Sequence, residues 1–550
     1  MARRSFWAWG LESDHPTARQ RDEMAQAMSR KYGVALQAPP MPTDADLNLR
    51  RPRIAPPDSL KEICSTDDHD RAVHTYGRSF RDRIRAFNAD FPDPVDVVAL
   101  PRDEKEIEAV LEWCSNSGHT AIPYGAGSSV VGGIEPPKDS PGSVSIDISA
   151  LDRVLEVDNV SRSARIQGGV LGPAMEDQLR PQGFTLRHFP QSFEFSTLGG
   201  WIATRSGGHY ATNQTHIDDF VESVRMITPA GVWESRRLPG SGAGPSSDRL
   251  AIGSEGILGI ITEAWMKIQA RPVFRASAGV AFPNFQAAAE AARHIVQAKL
   301  WPANCRVLDP AEAGAAAELD GQRSLLVLGF ESGEVPQGGM VRAAIAIARD
   351  AGGIIEEDDI KISDASVAPT APGVSLASGA TALGGGGAGR QGPVGSWRDS
   401  FVNAPYTRNS TMGLGVVAET LETAITWDRW PELDGVVREA LGEGLRRLCG
   451  GGSVTCRFTH VYPDGPAPYY TFEGLGRRGA EIEIVDELKS LASRALIDAG
   501  GTITHHHAVG RIHQPWYNEQ IPDLFAQVLR AAKRTLDPNG VLNPGVLIDP

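Results

Sequence analysis

Thr504-His505-His506-His507 follows Gly500-Gly501 and is a dense run of side chains that can take up or release a proton near neutral pH. On a strand, successive side chains point to opposite faces, so three adjacent imidazoles cannot all grip one metal ion. A metal would need acidic or histidine partners from elsewhere in the chain. The spacing suits a pair of imidazoles turned into a cavity as polar or acid/base groups. The plain alternative is the polar end of a strand.

A second pattern occurs three times. Ile122-Pro123-Tyr124-Gly125-Ala126-Gly127-Ser128-Ser129-Val130 is a Gly/Ser loop after an apolar strand. Glycine admits positive φ and close backbone approach, so consecutive N–H groups can converge on an anion such as a phosphate. No Gly-Lys-Ser/Thr closes it, which argues against a nucleoside triphosphatase, and the Gly-x-Gly-x-x-Gly pattern fits only at Gly125 and Gly127. Pro190-Gln191-Ser192-Phe193-Glu194-Phe195-Ser196-Thr197-Leu198-Gly199-Gly200-Trp201-Ile202-Ala203-Thr204-Arg205-Ser206-Gly207-Gly208 is too apolar for a flexible linker and must pack. Ile252-Gly253-Ser254-Glu255-Gly256-Ile257-Leu258-Gly259-Ile260-Ile261 again turns into an apolar strand. Three such loops, each joined to buried strand, suit an elongated cofactor across a sheet edge better than one small anion.

The elements that must carry these loops are legible in outline. Val95–Leu100 reads as a strand, Asp103 as the cap of an amphipathic helix running to Ser117, and the next strand ends at Pro123. Short strands follow at Ser143–Ile148, Arg153–Val157 and Arg165–Gly169, then a helix over Gly172–Gln182. Residues 1–90 read as an appended arm, with Arg78, Arg81, Arg83 and Arg85 as a solvated helix face. Beyond Pro272 the composition turns to alanine-rich helices and alternating strands, placing a domain boundary near 275. Residues 365–395 read as a mobile or disordered insert. Helices are expected over Trp430–Cys449 and Ala480–Ala499, and a strand over Ser453–Val461.

With 550 residues, the chain has room for two or three cores. A net charge of −14 argues against nucleic acid as a partner. The five cysteines, Cys64, Cys114, Cys305, Cys449 and Cys456, form no Cys-x-x-Cys pair, so neither a disulfide framework nor a zinc knuckle is suggested and a reduced, cytoplasmic setting fits. No run approaches a secretory or membrane-spanning length, so any membrane contact is expected to be peripheral.

These residues carry a resemblance. The chain is similar to flavoproteins of the vanillyl-alcohol-oxidase type, whose FAD-binding fold is also that of p-cresol methylhydroxylase, and within them it most resembles the alkyldihydroxyacetonephosphate synthase family. The similarity runs from about Tyr76 to Leu547, with a weaker trace at Trp7-Ala8-Trp9-Gly10. The family's pyrophosphate loop, Pro-x-Gly-Gly-Gly-Thr-Ser, falls on Pro123 to Ser129, with Ala126 for a glycine and Ser128 for the threonine. Further cofactor segments fall on Gln191 to Thr197, Thr204 to Gly207 and Glu255 to Ile261. The family's active-site tyrosine falls on Tyr469, with Tyr470 adjacent. His-His-His-Gly-Val-Gly-Lys falls on His505-His506-His507-Ala508-Val509-Gly510-Arg511, departing at Ala508 and Arg511. Its phosphate-binding arginine matches Arg408, with Arg398 as rival, and a further functional arginine matches Arg306.

The resemblance implies an α+β fold: a two-part FAD-binding domain over 91–275 and an α+β cap domain over 276–550 whose tail returns to the FAD domain. It implies exchange of the acyl group of acyl-dihydroxyacetone phosphate for a long-chain fatty alcohol, with FAD used without net redox. Tyr469 would transfer a proton, His505, His506 and His507 would orient groups around the substrate, Arg306 would act beside them, and Arg408 would hold the phosphate by its planar fork. FAD is expected to be bound noncovalently, His74 and Cys114 being the residues left for a covalent link, and a homodimer is expected. The competing readings are an FAD-dependent dehydrogenase or oxidase of a 2-hydroxy acid or alcohol, and a catalytically idle flavoprotein within a lipid-enzyme assembly.

Overall fold

The computed structural model describes residues 3–317, 320–363 and 393–548, so the insert read over 365–395 lies, up to residue 392, outside the described residues. The helix Glu104–Ser117 begins at its expected cap, the Asp103 carboxylate accepting from the Glu106 N–H at 3.0 Å, and ends at Gly118 in the left-handed conformation. Its apolar stripe, Ile107, Val110, Leu111 and Cys114, is buried against a four-stranded sheet. Val97–Ala99, Ser143–Asp147 and Thr120–Tyr124 run parallel there, with Cys64–Ser65 antiparallel at the edge. The first glycine loop leaves the carboxyl end of Thr120–Tyr124, the end at which open parallel sheets bind ligands.

A second, antiparallel sheet follows in the order Val154–Asp158, Ser163–Gln167, Ile260–Lys267, Val221–Thr228, Gly231–Glu234. The short helix Leu198–Thr204 lies on it. A side chain at Gly199 would sit 3.0 Å from the carbonyls of Gly168 and Ile261, so the small residues of the second glycine run allow this approach. The apolar residues of the same run, Phe193, Leu198, Trp201 and Ile202, are buried with Met226 and Ile261.

The third sheet has seven antiparallel strands in the order Lys361–Ser363, Phe274–Phe282, Ser324–Ser332, Asn304–Leu308, Ser453–Val461, Pro466–Leu475, Val416–Glu422. Arg457 and Glu422 stand directly opposite Tyr469 on its two neighbouring strands, while Cys456 and Leu421 stand opposite Tyr470. Alternation along the strand therefore turns Tyr469 and Tyr470 to opposite faces. Tyr470 belongs to the core beneath the helices Trp430–Cys449 and Glu481–Asp498.

The N-terminal segment is built into the body. Phe6, Trp7, Ala8 and Trp9 are buried in it. Arg78, Arg83 and Arg85, read as a solvated helix face, are buried as well; only Arg81 of the four keeps substantial exposure. The reason is pairing and covering: Arg85 meets Asp82 and Glu135 and lies 4.0 Å over Tyr76, and Arg78 donates to the carbonyls of Gly77 and Ser5. Polarity alone placed them outside.

The tail crosses back to the first sheet. The N–H of Ala121 donates to Val541 at 2.8 Å, and that of Asn543 to Ala121 at 2.9 Å. Buried Lys533 anchors this crossing, donating to Asp537 at 2.5 Å, the Leu542 carbonyl at 2.6 Å and the Ile257 carbonyl at 2.8 Å. Removing one partner of a buried pair leaves the other charge uncompensated, at a cost of about 3–5 kcal/mol. Lys533→Met should therefore lower the free energy of urea unfolding by about that amount; a loss under about 1 kcal/mol would show that the crossing does not depend on this ammonium.

Candidate active site

The three glycine segments converge on one face of the seven-stranded sheet and enclose a cavity of about 940 Å³. All of Pro123, Tyr124, Gly125, Ala126, Gly127, Ser128 and Ser129 line it, as do Gln191, Ser192, Ser196, Thr197, Thr204, Ser206 and Gly207, and Glu255, Gly256, Gly259, Ile260 and Ile261. Six residues expected with them do not. Phe193, Ile257 and Leu258 are core, Phe195 packs on Trp9, Glu194 accepts from the Tyr406 hydroxyl at 2.6 Å, and Arg205 pairs with Asp218. Strand and turn geometry sends these side chains away from the ligand side of segments whose neighbours face it.

The loop suits a dinucleotide. The N–H groups of Ala126, Gly127 and Ser128 make no hydrogen bond to any described residue, while a side chain at Gly125 would meet Thr197 Oγ1 at 2.3 Å. Gly127 sits at φ 68°, where an L side chain would be strained. Unpaired N–H groups on a backbone this bare favour a pyrophosphate. Glu255 holds the third loop to the tail, accepting from the N–H groups of Val509 and Gly510 at 2.9 and 2.7 Å. Burial pushes its carboxyl up to about 7 against the pull of those two donors.

The histidine triplet is not a strand. Its backbone curls around the carboxylate of Glu422, which accepts from His505 N–H at 2.7 Å, His506 N–H at 3.0 Å, His507 N–H at 3.0 Å and Thr504 Oγ1 at 2.6 Å. The alternation expected of a strand fails because successive N–H groups converge on one anion. Burial alone would raise the Glu422 carboxyl; His506 beside it outweighs that and holds it well below the usual carboxylate range. Ala508 closes the curl at φ 71°, a left-handed position that the glycine of the family motif takes without strain.

His506 and His507 line the cavity with Tyr469, whose ring meets His507 edge-on at 5.4 Å. His505 is turned behind them, its Nε2 2.7 Å from the Tyr462 hydroxyl and its Nδ1 3.0 Å from His506 Nδ1. Burial pushes the imidazoles of His505 and His507 down, the latter to about 3, so both are neutral. Arg457 lies 4.2 Å over the Tyr469 ring. Arg306 also lines the cavity; burial, then the charge of Arg457, lowers it to about 9.

A cationic end completes the site. Arg408, from the helix Pro393–Thr411, lines the cavity beside buried Arg78 and Arg83. Burial, then Arg408 and Arg78, lowers Arg83 to about 9, and among the described residues none of the three is ion-paired with a carboxylate. The rival Arg398 falls among residues whose side chains lie outside the description. Sequence reasoning missed Arg78, Arg83, Arg457, Trp9 and the role of Glu422. The readable signal for Trp9 was its place in the Trp-Ala-Trp-Gly match; Arg457 is brought to Tyr469 by strand register, which the sequence does not show.

A two-part fold with three glycine loops around one long cavity, its pyrophosphate-type loop unpaired, defines an FAD flavoprotein. Residues 95–235 match the FAD binding domain family and residues 271–547 the family of FAD linked oxidases, C-terminal domain. The alkyldihydroxyacetonephosphate synthase of Dictyostelium discoideum is 32% identical over 518 residues, covering 90% of this chain and 79% of that protein. A solved alkyldihydroxyacetonephosphate synthase superposes with a TM-score of 0.73 at 26% identity, covering 94% of this chain and 91% of the other. Substrate-bound p-cresol methylhydroxylase shares the fold, with a TM-score of 0.64 at 14% identity over 89% of this chain and 94% of the other. The chain belongs to the alkyldihydroxyacetonephosphate synthase family of FAD enzymes.

The charges give a pH signature. Glu422 has a folded pKa below its unfolded value, so its contribution is present above about pH 4 and is lost as pH falls through the folded value. His505 and His507 refuse protons that the unfolded chain accepts below about pH 6.5, so they too cost stability as pH falls. Unfolding free energy should decline from pH 7 to 5 by up to about 1.4 kcal/mol per pH unit for each such histidine. Glu422→Gln should lower it by about 2–3 kcal/mol at pH 7. A flat urea-unfolding profile between pH 7 and 5 would show that the imidazoles are not held neutral.

Proposed function

We propose that the protein exchanges the acyl group of an acyl-dihydroxyacetone phosphate for a long-chain fatty alcohol, leaving an ether, with FAD used without net redox. Beyond family membership, the observation that carries this reading is the juxtaposition in one cavity of unpaired guanidinium groups with Tyr469 and His506. A substrate phosphate at Arg408, backed by Arg83 and Arg78, receives charge-assisted hydrogen bonds where none of the three is ion-paired, the Glu419 carboxylate in the same cavity being engaged by the Phe80 N–H. Tyr469 Oη makes no hydrogen bond to a described residue and is free to move a proton at the carbon beside the carbonyl. Bound FAD supplies the reversible chemistry at the substrate carbon and is recovered unchanged.

His506 and His507 orient the substrate, and Arg306 adds a second cation near them. The flavin is held without a covalent bond. Cys114 is buried in the core behind the first sheet and His74 is bonded to Asp147 at 3.0 Å, and neither lines the cavity. Acid precipitation should release all yellow colour to the supernatant; colour left on the polypeptide would overturn this.

Homodimerisation, a cytoplasmic location and peripheral membrane contact belong to the same proposal. The exposed trio Leu524, Phe525 and Val528 supports membrane contact, and no described helix is long and apolar enough to cross a bilayer. Sedimentation with and without lipid vesicles tests both assembly and contact.

The deciding assay mixes the protein anaerobically with palmitoyl-dihydroxyacetone phosphate and labelled hexadecanol. Ether without lasting flavin bleaching is the expected result; no ether, with bleaching by a 2-hydroxy acid, would replace the reading by a dehydrogenase. Tyr469→Phe should retain flavin and lose 100-fold or more, roughly, of the rate. Arg408→Met should weaken the phosphorylated substrate by about 10- to 100-fold and its dephosphorylated analogue little.

A further inference from the structure

Exchange of an ester oxygen substituent for an alcohol has a proton balance. Acyl-dihydroxyacetone phosphate and a fatty alcohol give the alkyl ether and a fatty acid, and with a carboxyl pKa near 4 the acid leaves as its anion. The alcohol's proton is therefore left in the cavity, and one proton per turnover must reach bulk water. That proton arises only in the function proposed above.

From His506, on the cavity wall, a chain of side chains leads outward. His506 Nδ1 lies 3.0 Å from His505 Nδ1, and His505 Nε2 lies 2.7 Å from the Tyr462 hydroxyl and 3.2 Å from His216 Nε2. Tyr462 Oη is also 3.2 Å from His216 Nε2 and 2.9 Å from Thr215 Oγ1. His216 and Tyr462 are half-buried, and His216 Nδ1 lies 3.0 Å from the carbonyl of exposed Arg205.

The bonds assign the tautomers. A carbonyl only accepts, so His216 Nδ1 carries a hydrogen and its Nε2 is an acceptor. His506 Nδ1 faces Glu422 at 3.3 Å as well as His505, so it too carries a hydrogen, which makes His505 Nδ1 an acceptor and its Nε2 a donor. With the Thr215 hydroxyl donating to Tyr462 Oη, every member has its donor aimed at the next acceptor. His460, 4.9 Å from His505 between ring centroids, stands outside the chain, because its nitrogens meet Thr459 Oγ1 and the Gly208 carbonyl. A metal held by His460, His505 and His506 would have to break these bonds.

We propose that His505, Tyr462 and His216 form a proton exit from the cavity to the surface at Arg205. A proton arriving on His506 displaces the Nδ1 hydrogen to His505 Nδ1. His505 passes its Nε2 hydrogen to Tyr462, whose own hydroxyl hydrogen moves to His216 Nε2. His216 releases its Nδ1 hydrogen to water. One proton enters, one leaves, and no electrons move between residues. Tyr462 and His216 touch no substrate and act as relay residues.

The test uses the FAD-loaded full chain in weak buffer with a pH indicator and the ether assay in parallel. Wild type should form ether and release one proton per ether. Tyr462→Phe combined with His216→Gln should keep flavin content and KM, and lose about tenfold or more of kcat. The solvent deuterium isotope effect should rise, and added imidazole should restore the rate. His216→Gln alone should show a smaller change of the same kind. No fall in kcat in the double variant would overturn the relay while leaving the synthase reading intact, as would a fall that imidazole does not rescue. Absence of ether from wild type would overturn the synthase reading and remove the proton that the relay serves.

Discussion

The carboxylate of Glu422 accepts hydrogen bonds from Thr504 and from the backbone of His505, His506 and His507 in turn. A buried charge is tolerated only when its acceptor positions are filled, so the strand end and the loop require each other. The curl that satisfies the carboxylate also decides where the imidazoles go. His506 and His507 face the cavity with Tyr469, and His505 faces Tyr462 and His216. Since Glu422 stands beside Tyr469 in the sheet, one anion fixes the proton-handling groups relative to the strand that carries the tyrosine.

Charge is arranged against the overall balance. The chain carries a net −14, yet Arg78, Arg83, Arg306, Arg408 and Arg457 line the same cavity. Arg457 is paired with Glu312, whereas Arg78 and Arg83 persist without carboxylate partners because the carbonyl and amide oxygens of Ser5, Tyr76, Gly77 and Asn409 accept from them. Their field is focused into a cleft of low dielectric, which raises the local concentration of anionic ligands despite an acidic exterior.

Local signals were legible and long-range ones were not. The cap at Asp103 and the helix over Trp430–Cys449 depend on residues close in sequence and stand where the sequence places them. The triplet's conformation depends on Glu422, more than eighty positions earlier, and no periodicity encodes that pairing. Four arginines within eight residues look like a solvated helix face; three are buried by partners mostly distant in sequence, Glu135 with nearby Asp82 for Arg85, the Ser5 carbonyl for Arg78 and Asn409 for Arg83. His505 was read with its neighbours because adjacency in sequence does not say which ring turns inward.

The crossing of the tail to Ala121 has a consequence for how the molecule is made. The first sheet and its glycine loop leave the ribosome well before the residues that flank them in the finished protein, from Val509 to Asn543. Until then Glu255 lacks its two backbone donors and Ala121 lacks its neighbouring segment. Capture of the flavin in its final setting thus waits for those residues, and the nascent chain carries an unfinished cofactor half until they are made.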